Sequence, residues 1–263
     1  MADIGRIEEA IRQIAPPHLA EEWDNCGFQI RCSADQQIRK ILVSLEVSDE
    51  LVTEAISAGA DLIVTHHPMI FGKIDSVDDN HITGHYILRL IQAGISVYSA
   101  HTSFDSAKRG TNQYLAEQLG LTKIVPMKPV AEEGCGMGRT GIFPEPLSFG
   151  RFAECLKEVC DENIFRVSGR CPEFISRVSL CTGAGAEFAA QAKENGSDVY
   201  ITGDVKYHDA RTACETGLCV VDAGHFGTEN IFTPNFAGQL RDLCPPEVEI
   251  LEAKTDLNPF KLF

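Results

Sequence analysis

The chain of 263 residues is short of basic charge, carries a single tryptophan and has no closely spaced cysteine pair. Its 23 lysines and arginines stand against 38 aspartates and glutamates, a formal net charge of −15. A nucleic-acid backbone is bound by a basic surface, so nucleic acid is disfavoured as a partner. No apolar run approaches the roughly 18 residues that a membrane-spanning helix needs. The opening MADIGRIEEAIRQIAPP has the pattern of an amphipathic helix with acidic residues. It lacks the basic and apolar regions of a signal peptide. A cytoplasmic protein with no membrane partner is therefore expected. The ten cysteines, at 26, 32, 135, 155, 160, 171, 181, 214, 219 and 244, form no CxxC pair, which argues against a thiolate zinc site. Most read as reduced, small core residues. No low-complexity tract occurs.

What is present is a series of short, β-branched apolar runs. In the first half these are Ile41–Leu45, Asp61–Thr65 and Ile95–Ala100, and in the second Val178–Cys181, Asp198–Thr202 and Leu218–Asp222. Their near-continuous apolarity is that of strands buried on both faces. Helical patterns lie between them at 48–58, 79–93, 111–119, 187–195 and 209–215. The alternation predicts an α/β fold with largely parallel sheets. Residues 38–65 align with 175–202 without a gap, and Gly59-Ala60-Asp61 meets Gly196-Ser197-Asp198. After a small slip, His101–Asp105 meets His225–Glu229. Two similar α/β domains related by internal duplication follow, with a metal site expected in the cleft between them. The Pro- and Gly-rich stretch 125–170 reads as a junction and peripheral segment. The boundary is placed near residue 125, giving domains 1–125 and 126–263, with the C-terminal tail packing back on the first.

The chemistry-bearing residues gather at the ends of these runs. His66-His67-Pro68 closes one strand, and Pro68 drives His67 out of helical space. Adjacent residues of an extended segment point to opposite sides, so the two imidazoles could reach two ions, or one if the backbone turns. His101 and Asp105, like His225 and Glu229, are four apart and share a face where the chain turns helically. Such imidazole and carboxylate donors suit Zn, Fe(II), Mn or similar divalent ions, often in pairs. Three less specific features accompany them. The turn Glu22-Trp23-Asp24-Asn25 is either an aromatic-anchored turn or a cleft lining. Thr182-Gly183-Ala184-Gly185 offers backbone N–H groups to a phosphate or simply packs tightly. Lys206 and His208, in Gly203-Asp204-Val205-Lys206-Tyr207-His208, either face a substrate or lie on a solvated loop.

In this order and spacing the motifs resemble the GTP cyclohydrolase I type 2 family, also called the Nif3-like dinuclear metal centre proteins. The likeness runs over nearly the whole chain. It rests on Glu22–Asn25, Thr65–Pro68 with Phe71, Ala100–Asp105, Ile201–His208 and Ala223–Glu229. The resemblance implies two divalent metal ions per chain, with His66, His67, Asp105, His225 and Glu229 as ligands and Glu229 as the bridging carboxylate. It also implies a homo-oligomer, a toroidal hexamer, without the domain that some relatives insert in mid-chain. His101 is similar to an imidazole near the metals. It is assigned, with His208, to proton transfer. Glu46 stands where relatives often carry Asp, and Phe104 and Arg109 also depart from the pattern.

Two functions compete. One is a metal-dependent hydrolase acting on a small molecule, with the family name pointing to GTP converted to dihydroneopterin triphosphate and formate. The other is a non-catalytic metal-binding, metal-delivery or regulatory hexamer. A metal-dependent nucleic-acid enzyme fits the donors but not the acidic surface.

Overall fold

The computed structural model describes residues 1–161 and 164–261. The chain forms two compact units. The first comprises Met1–Phe104 with Phe232–Phe263, and the second Asp105–Ile231.

The first unit begins with β1 (Ala2–Asp3) and α1 (Ile4–Ile14). Asp3 caps α1 by accepting a hydrogen bond from Gly5 N at 2.8 Å. Ile4, Ile7, Ala10, Ile11 and Ile14 recur at helical spacing and make its buried face. Next come β2 (Gly27–Ile30), β3 (Gln37–Ile38), β4 (Lys40–Ser44), α2 (Asp49–Ala58), β5 (Leu62–Thr65), α3 (Ile82–Ala93) and β6 (Ser96–Ser99). The short α4 (Thr102–Asp105) carries the chain out of this unit.

The second unit holds α5 (Thr111–Gln118), β7 (Thr122–Pro129), β8 (Gly136–Ser148), α6 (Phe149–Cys160), β9 (Arg166–Ser168), β10 (Phe174–Leu180), α7 (Ala189–Glu194), β11 (Val199–Thr202), α8 (Tyr207–Thr216), β12 (Cys219–Asp222) and α9 (His225–Glu229). The chain then returns to the first unit as α10 (Phe232–Leu243) and β13 (Glu249–Glu252).

Each unit is an α/β layer on its own sheet. The first sheet has the order β13-β4-β5-β6-β2, with β13 to β6 parallel and β2 antiparallel at the edge. The second runs β7-β8-β10-β11-β12-β9, parallel from β10 to β12 and antiparallel outside them. The parallel trio β4-β5-β6 thus matches β10-β11-β12, and each trio is flanked by one antiparallel strand beside its last member. This is the expected duplicated α/β fold. Separate apolar cores support the two sheets. One gathers Leu42, Leu51, Val52, Ile63, Leu90 and Val97, and the other Phe152, Leu156, Val178, Leu180, Ile201 and Val221.

Two features differ from the sequence expectation. Residue 125 is not a boundary, because it lies inside β7, paired with Thr140 of β8. The chain changes unit at 104/105 and at 231/232 instead. The C-terminal segment belongs to the first unit because β13 adds a parallel strand beside β4. The stretch 125–170 is also no peripheral segment. It contains the 13-residue β8 and the helix α6. Glycine disguised the strand: a Cβ on Gly138 (φ +63°) would lie 2.9 Å from the Leu180 carbonyl oxygen, so the ladder there needs glycine.

Candidate metal centre

The first unit gathers three imidazoles at the tips of β5 and β6. Donor nitrogens of His66, His67 and His101 lie within 4.8 Å of one another. His66 is buried, while the other two are partly exposed. The strand ends fix the backbone. His67 N donates to the Leu45 carbonyl at 2.9 Å. The Thr65 hydroxyl donates to the His67 carbonyl at 2.8 Å, and the Ser99 hydroxyl to that of His66 at 2.8 Å. The Phe232 ring packs 5.0 Å from that of His66 and backs it from the core side.

In the second unit, β12 ends at Asp222, Gly224 (φ +79°) turns the chain, and the single turn α9 puts His225 and Glu229 on one face. His225 Nε2 and Glu229 Oε2 lie 2.9 Å apart. A Cβ on Gly183 would come within 2.1 Å of Glu229 Oε1, so glycine is the residue that leaves room for this carboxylate. Asp105 is buried in the same unit. Burial, then the charges of Asp105, Glu229 and Glu187, push the Cys181 thiol well up, so both proposed acidic ligands act on one thiol.

In each unit the second nitrogen of the imidazole has an oxygen of its own. His66 Nδ1 faces the Ala100 carbonyl at 3.1 Å. His67 Nδ1 faces the Glu46 carboxylate at 3.3 Å, His101 Nδ1 that of Asp24 at 3.0 Å, and His225 Nδ1 that of Asp204 at 2.7 Å. All four partners accept, so Nδ1 carries the proton in each ring; at His225 the other nitrogen, Nε2, meets Glu229 Oε2. An outer oxygen that fixes the tautomer and orientation of an imidazole is the usual support of a metal-ligating histidine. The donor set therefore fits a divalent metal.

Asp24 is held still more firmly. Burial raises its carboxyl, but bonds from His101 and Thr102 outweigh this and hold it well below the usual carboxylate range. It accepts from Thr102 N at 3.0 Å and from Cys26 Sγ at 3.0 Å.

Other sequence candidates fall elsewhere. His208 and Lys206 are exposed, and the His208 ring lies 5.3 Å from that of Tyr207 on the first turn of α8. Among the described residues His208 joins no group of three closely spaced donors. The Thr182–Gly185 loop does not present a phosphate cradle. Thr182 N donates to Asn112 Oδ1, Gly183 N to Thr228 Oγ1 and Gly185 N to Thr202 Oγ1, each at 2.9 Å. Those N–H groups are already used internally.

Three supporting residues had no sequence signal of their own. Asp204 orients His225. Asn112 joins the Asp105 carbonyl (3.2 Å) to Thr182. Arg139 is fully buried and donates to the carbonyls of Ala107, Gly136 and Gly138 at 2.6–2.8 Å and to Gln113 Oε1 at 2.9 Å. Burial lowers the pKa of its guanidinium to about 10. A repeat-based search for acids one strand from each histidine could have found Asp204. The other two depend on long-range packing.

A duplicated α/β chain with histidine and carboxylate groups at its parallel strand tips defines a class of candidate metal-binding proteins. The chain belongs to the Duf34/NIF3 (NGG1p interacting factor 3) family, which it matches over residues 2–259. It is 34% identical over 257 residues to a Clostridium perfringens protein named GTP cyclohydrolase 1 type 2 homolog, with 97% of each chain covered. Its fold is similar to that of a Bacillus cereus protein related to NIF3, with a TM-score of 0.92, 25% identity, and 100% and 99% of the two chains covered. It is also similar to reduced HcgD from Methanocaldococcus jannaschii, with a TM-score of 0.83, 31% identity, and 97% and 98% covered. Among the described residues no helix is long and apolar enough to cross a membrane.

Proposed function

We propose that this protein is a dinuclear metal-dependent hydrolase in which His66, His67, Asp105, His225 and Glu229 would hold two divalent ions, Zn, Fe, Mn or similar. The observation that carries the reading is that four imidazoles each have Nδ1 tied to an oxygen, with Glu229 beside the Nε2 of His225. When bound, such a pair of ions supplies Lewis acidity and lowers the pKa of water. The chain's own part is to position and to move protons. Glu46 and Asp204 orient His67 and His225. Asp24 fixes His101 so that its Nε2 is available as a base beside the cluster, the arrangement by which a buried carboxylate orients a catalytic imidazole. GTP, opened to dihydroneopterin triphosphate and formate, is the substrate that the names of the relatives support. The family resemblance further supports assembly as a homohexamer.

The test is elemental analysis of protein purified without added metal or tag, with formate release from GTP followed in the same sample. About two ions per chain with formate is the expected result. Two ions without formate would assign the site to metal handling or another hydrolysis. No metal, even after reconstitution, would sink the dinuclear centre. Glu229→Ala is expected to lose metal. Asp24→Asn is expected to retain metal and lose about a hundredfold or more in turnover, because the imidazole is no longer oriented by a charge.

A further inference from the structure

Trp23 and Phe71 are 61% and 63% exposed, yet neither is a stray surface ring. With the His101 imidazole they form a triangle whose three centroid separations are all 6.0 Å. The planes of Trp23 and Phe71 are tilted by 41°, and the imidazole stands edge-on to both, at 76° and 69°. The segments that carry the rings are fixed by polar bonds. Glu21 N donates to Thr102 Oγ1 at 3.0 Å, and Asp24, next to Trp23, is bound by His101 and Thr102. Asn25 Nδ2 donates to the Ile70 carbonyl at 2.7 Å, directly before Phe71. Ile70 N donates to Gln29 Oε1 at 3.1 Å, and Gln29 Nε2 to the Asn25 carbonyl at 2.7 Å. Two large rings are thus held out to solvent on a rigid frame, at the rim of the imidazole cluster. A preorganised aromatic face of this kind costs little ordering entropy when a ligand docks. Beside Phe71 opens a cleft of about 320 Å³, whose lining includes Met69, Ile70, Phe71, Lys73, Asp75 and His81, within the size range of small-molecule sites.

We propose that Trp23 and Phe71 are a stacking platform that binds the planar heteroaromatic ring of the substrate beside His101, with the polar adjoining cleft, where Lys73 and Asp75 both lie, taking the rest of the molecule. This deepens the hydrolase reading by naming the substrate class, and rests on that reading for what the ring is held for. Stacking uses a π-face that every nucleobase has, so the platform selects for a ring and not for guanine in particular.

Trp23 is the only tryptophan of the chain, so its fluorescence reports on this position alone. The as-purified protein is titrated with guanosine monophosphate, adenosine monophosphate and ribose 5-phosphate. Both nucleotides are expected to quench Trp23 saturably and with similar affinity, and ribose 5-phosphate is expected not to. Phe71→Ala should weaken the nucleotides by about tenfold. Trp23→Leu should do the same by calorimetry, and Trp23→Phe should restore most of the affinity. Equal responses to ribose 5-phosphate and the nucleotides, or no response, would overturn the platform. So would a Trp23 signal that changes with protein concentration alone and follows oligomer mass, which would make the rings an interface between copies. Metal content and formate release are read on the same sample. Ring binding without formate would refute the GTP reaction and leave the platform standing, while formate release without ring discrimination would do the reverse.

Discussion

The β4-α2-β5 unit and the β10-α7-β11 unit share a frame down to single hydrogen bonds. Asp61 accepts from Arg39 N and Lys40 N at 2.8 and 3.1 Å. Asp198, at the aligned position, accepts from Ser176 N and Arg177 N, both at 2.8 Å. Gly59 (φ +67°) and Gly196 (φ +71°) end the two helices, where left-handed backbone favours glycine. Ala60 N and Ser197 N close back on Ala55 and Ala192 at 3.0 and 3.1 Å. Ala100 N and Ala223 N both donate, at 2.8 Å, to the carbonyls of the matching Thr65 and Thr202. The difference starts one residue beyond those threonines. His66-His67 in the first unit is replaced by Gly203-Asp204 in the second. A Cβ on Gly203 would lie 2.7 Å from His225 N, so glycine there leaves room for the turn that carries the histidine. Likewise Glu46 gives way to Gly183, which clears room for Glu229. The two repeats share the frame and the helical turn with its donors, and only the first adds a pair of histidines at a strand end.

This contrast can be attacked directly. The largest expected effect is in the part with no counterpart in the first unit. Arg139→Ala leaves several buried carbonyls without their donor and should destabilise by at least about 3 kcal/mol, lowering Tm by roughly 6 °C or more. A thermal melt that scarcely moves would mean that Arg139 is not the organiser of the loop after Asp105. Next is Gly183→Ala, which adds a Cβ at positive φ against Glu229. About 1–2 kcal/mol should be lost, together with bound metal measured by elemental analysis. Full metal retention would show that Glu229 has freedom to move. Smaller again are Asp61→Ala and Asp198→Ala, each expected to cost about 0.5–1.5 kcal/mol in denaturant unfolding. The two should agree closely, because the exposed Arg39 adds little to Asp61. A wide gap would break the equivalence of the frames. The smallest effect is a pH dependence. Burial raises the Asp61 carboxyl, but bonds from Arg39 and the two amides bring it below its ordinary value of 3.8. Its stabilising contribution is therefore complete above about pH 4 and is lost as pH falls through the lowered pKa. Asp61→Asn should flatten that part of an acid titration of stability and leave the neutral-pH range unchanged in shape.

Much of this was readable from sequence. All six apolar runs became strands, and the pattern expected at 48–58 became α2 at 49–58, with Ser48 capping it through a bond from Leu51 N at 3.1 Å. These elements are local: buried parallel strands announce themselves by continuous apolarity, and helices by caps and period. β8 escaped because glycines at positive φ and a proline-rich end look like loop. β2, β9 and β13 escaped because edge strands are short and half exposed. At the candidate site, the histidines and carboxylates were legible as types at strand ends. What orients them was not. Asp24 and His101 are 77 residues apart, and Asp204 and His225 are 21 apart.

The sequence alone determined the duplicated frame, the strand tips and the imidazole and carboxylate donors placed there, because each of these follows from short-range pattern or from self-alignment. Tertiary structure alone decided that the chain leaves its first unit at Phe104 and comes back at Phe232, that a glycine-rich hairpin completes the second sheet, and which oxygen holds each imidazole. Those outcomes depend on contacts between residues far apart in the chain, where no local period exists to record them.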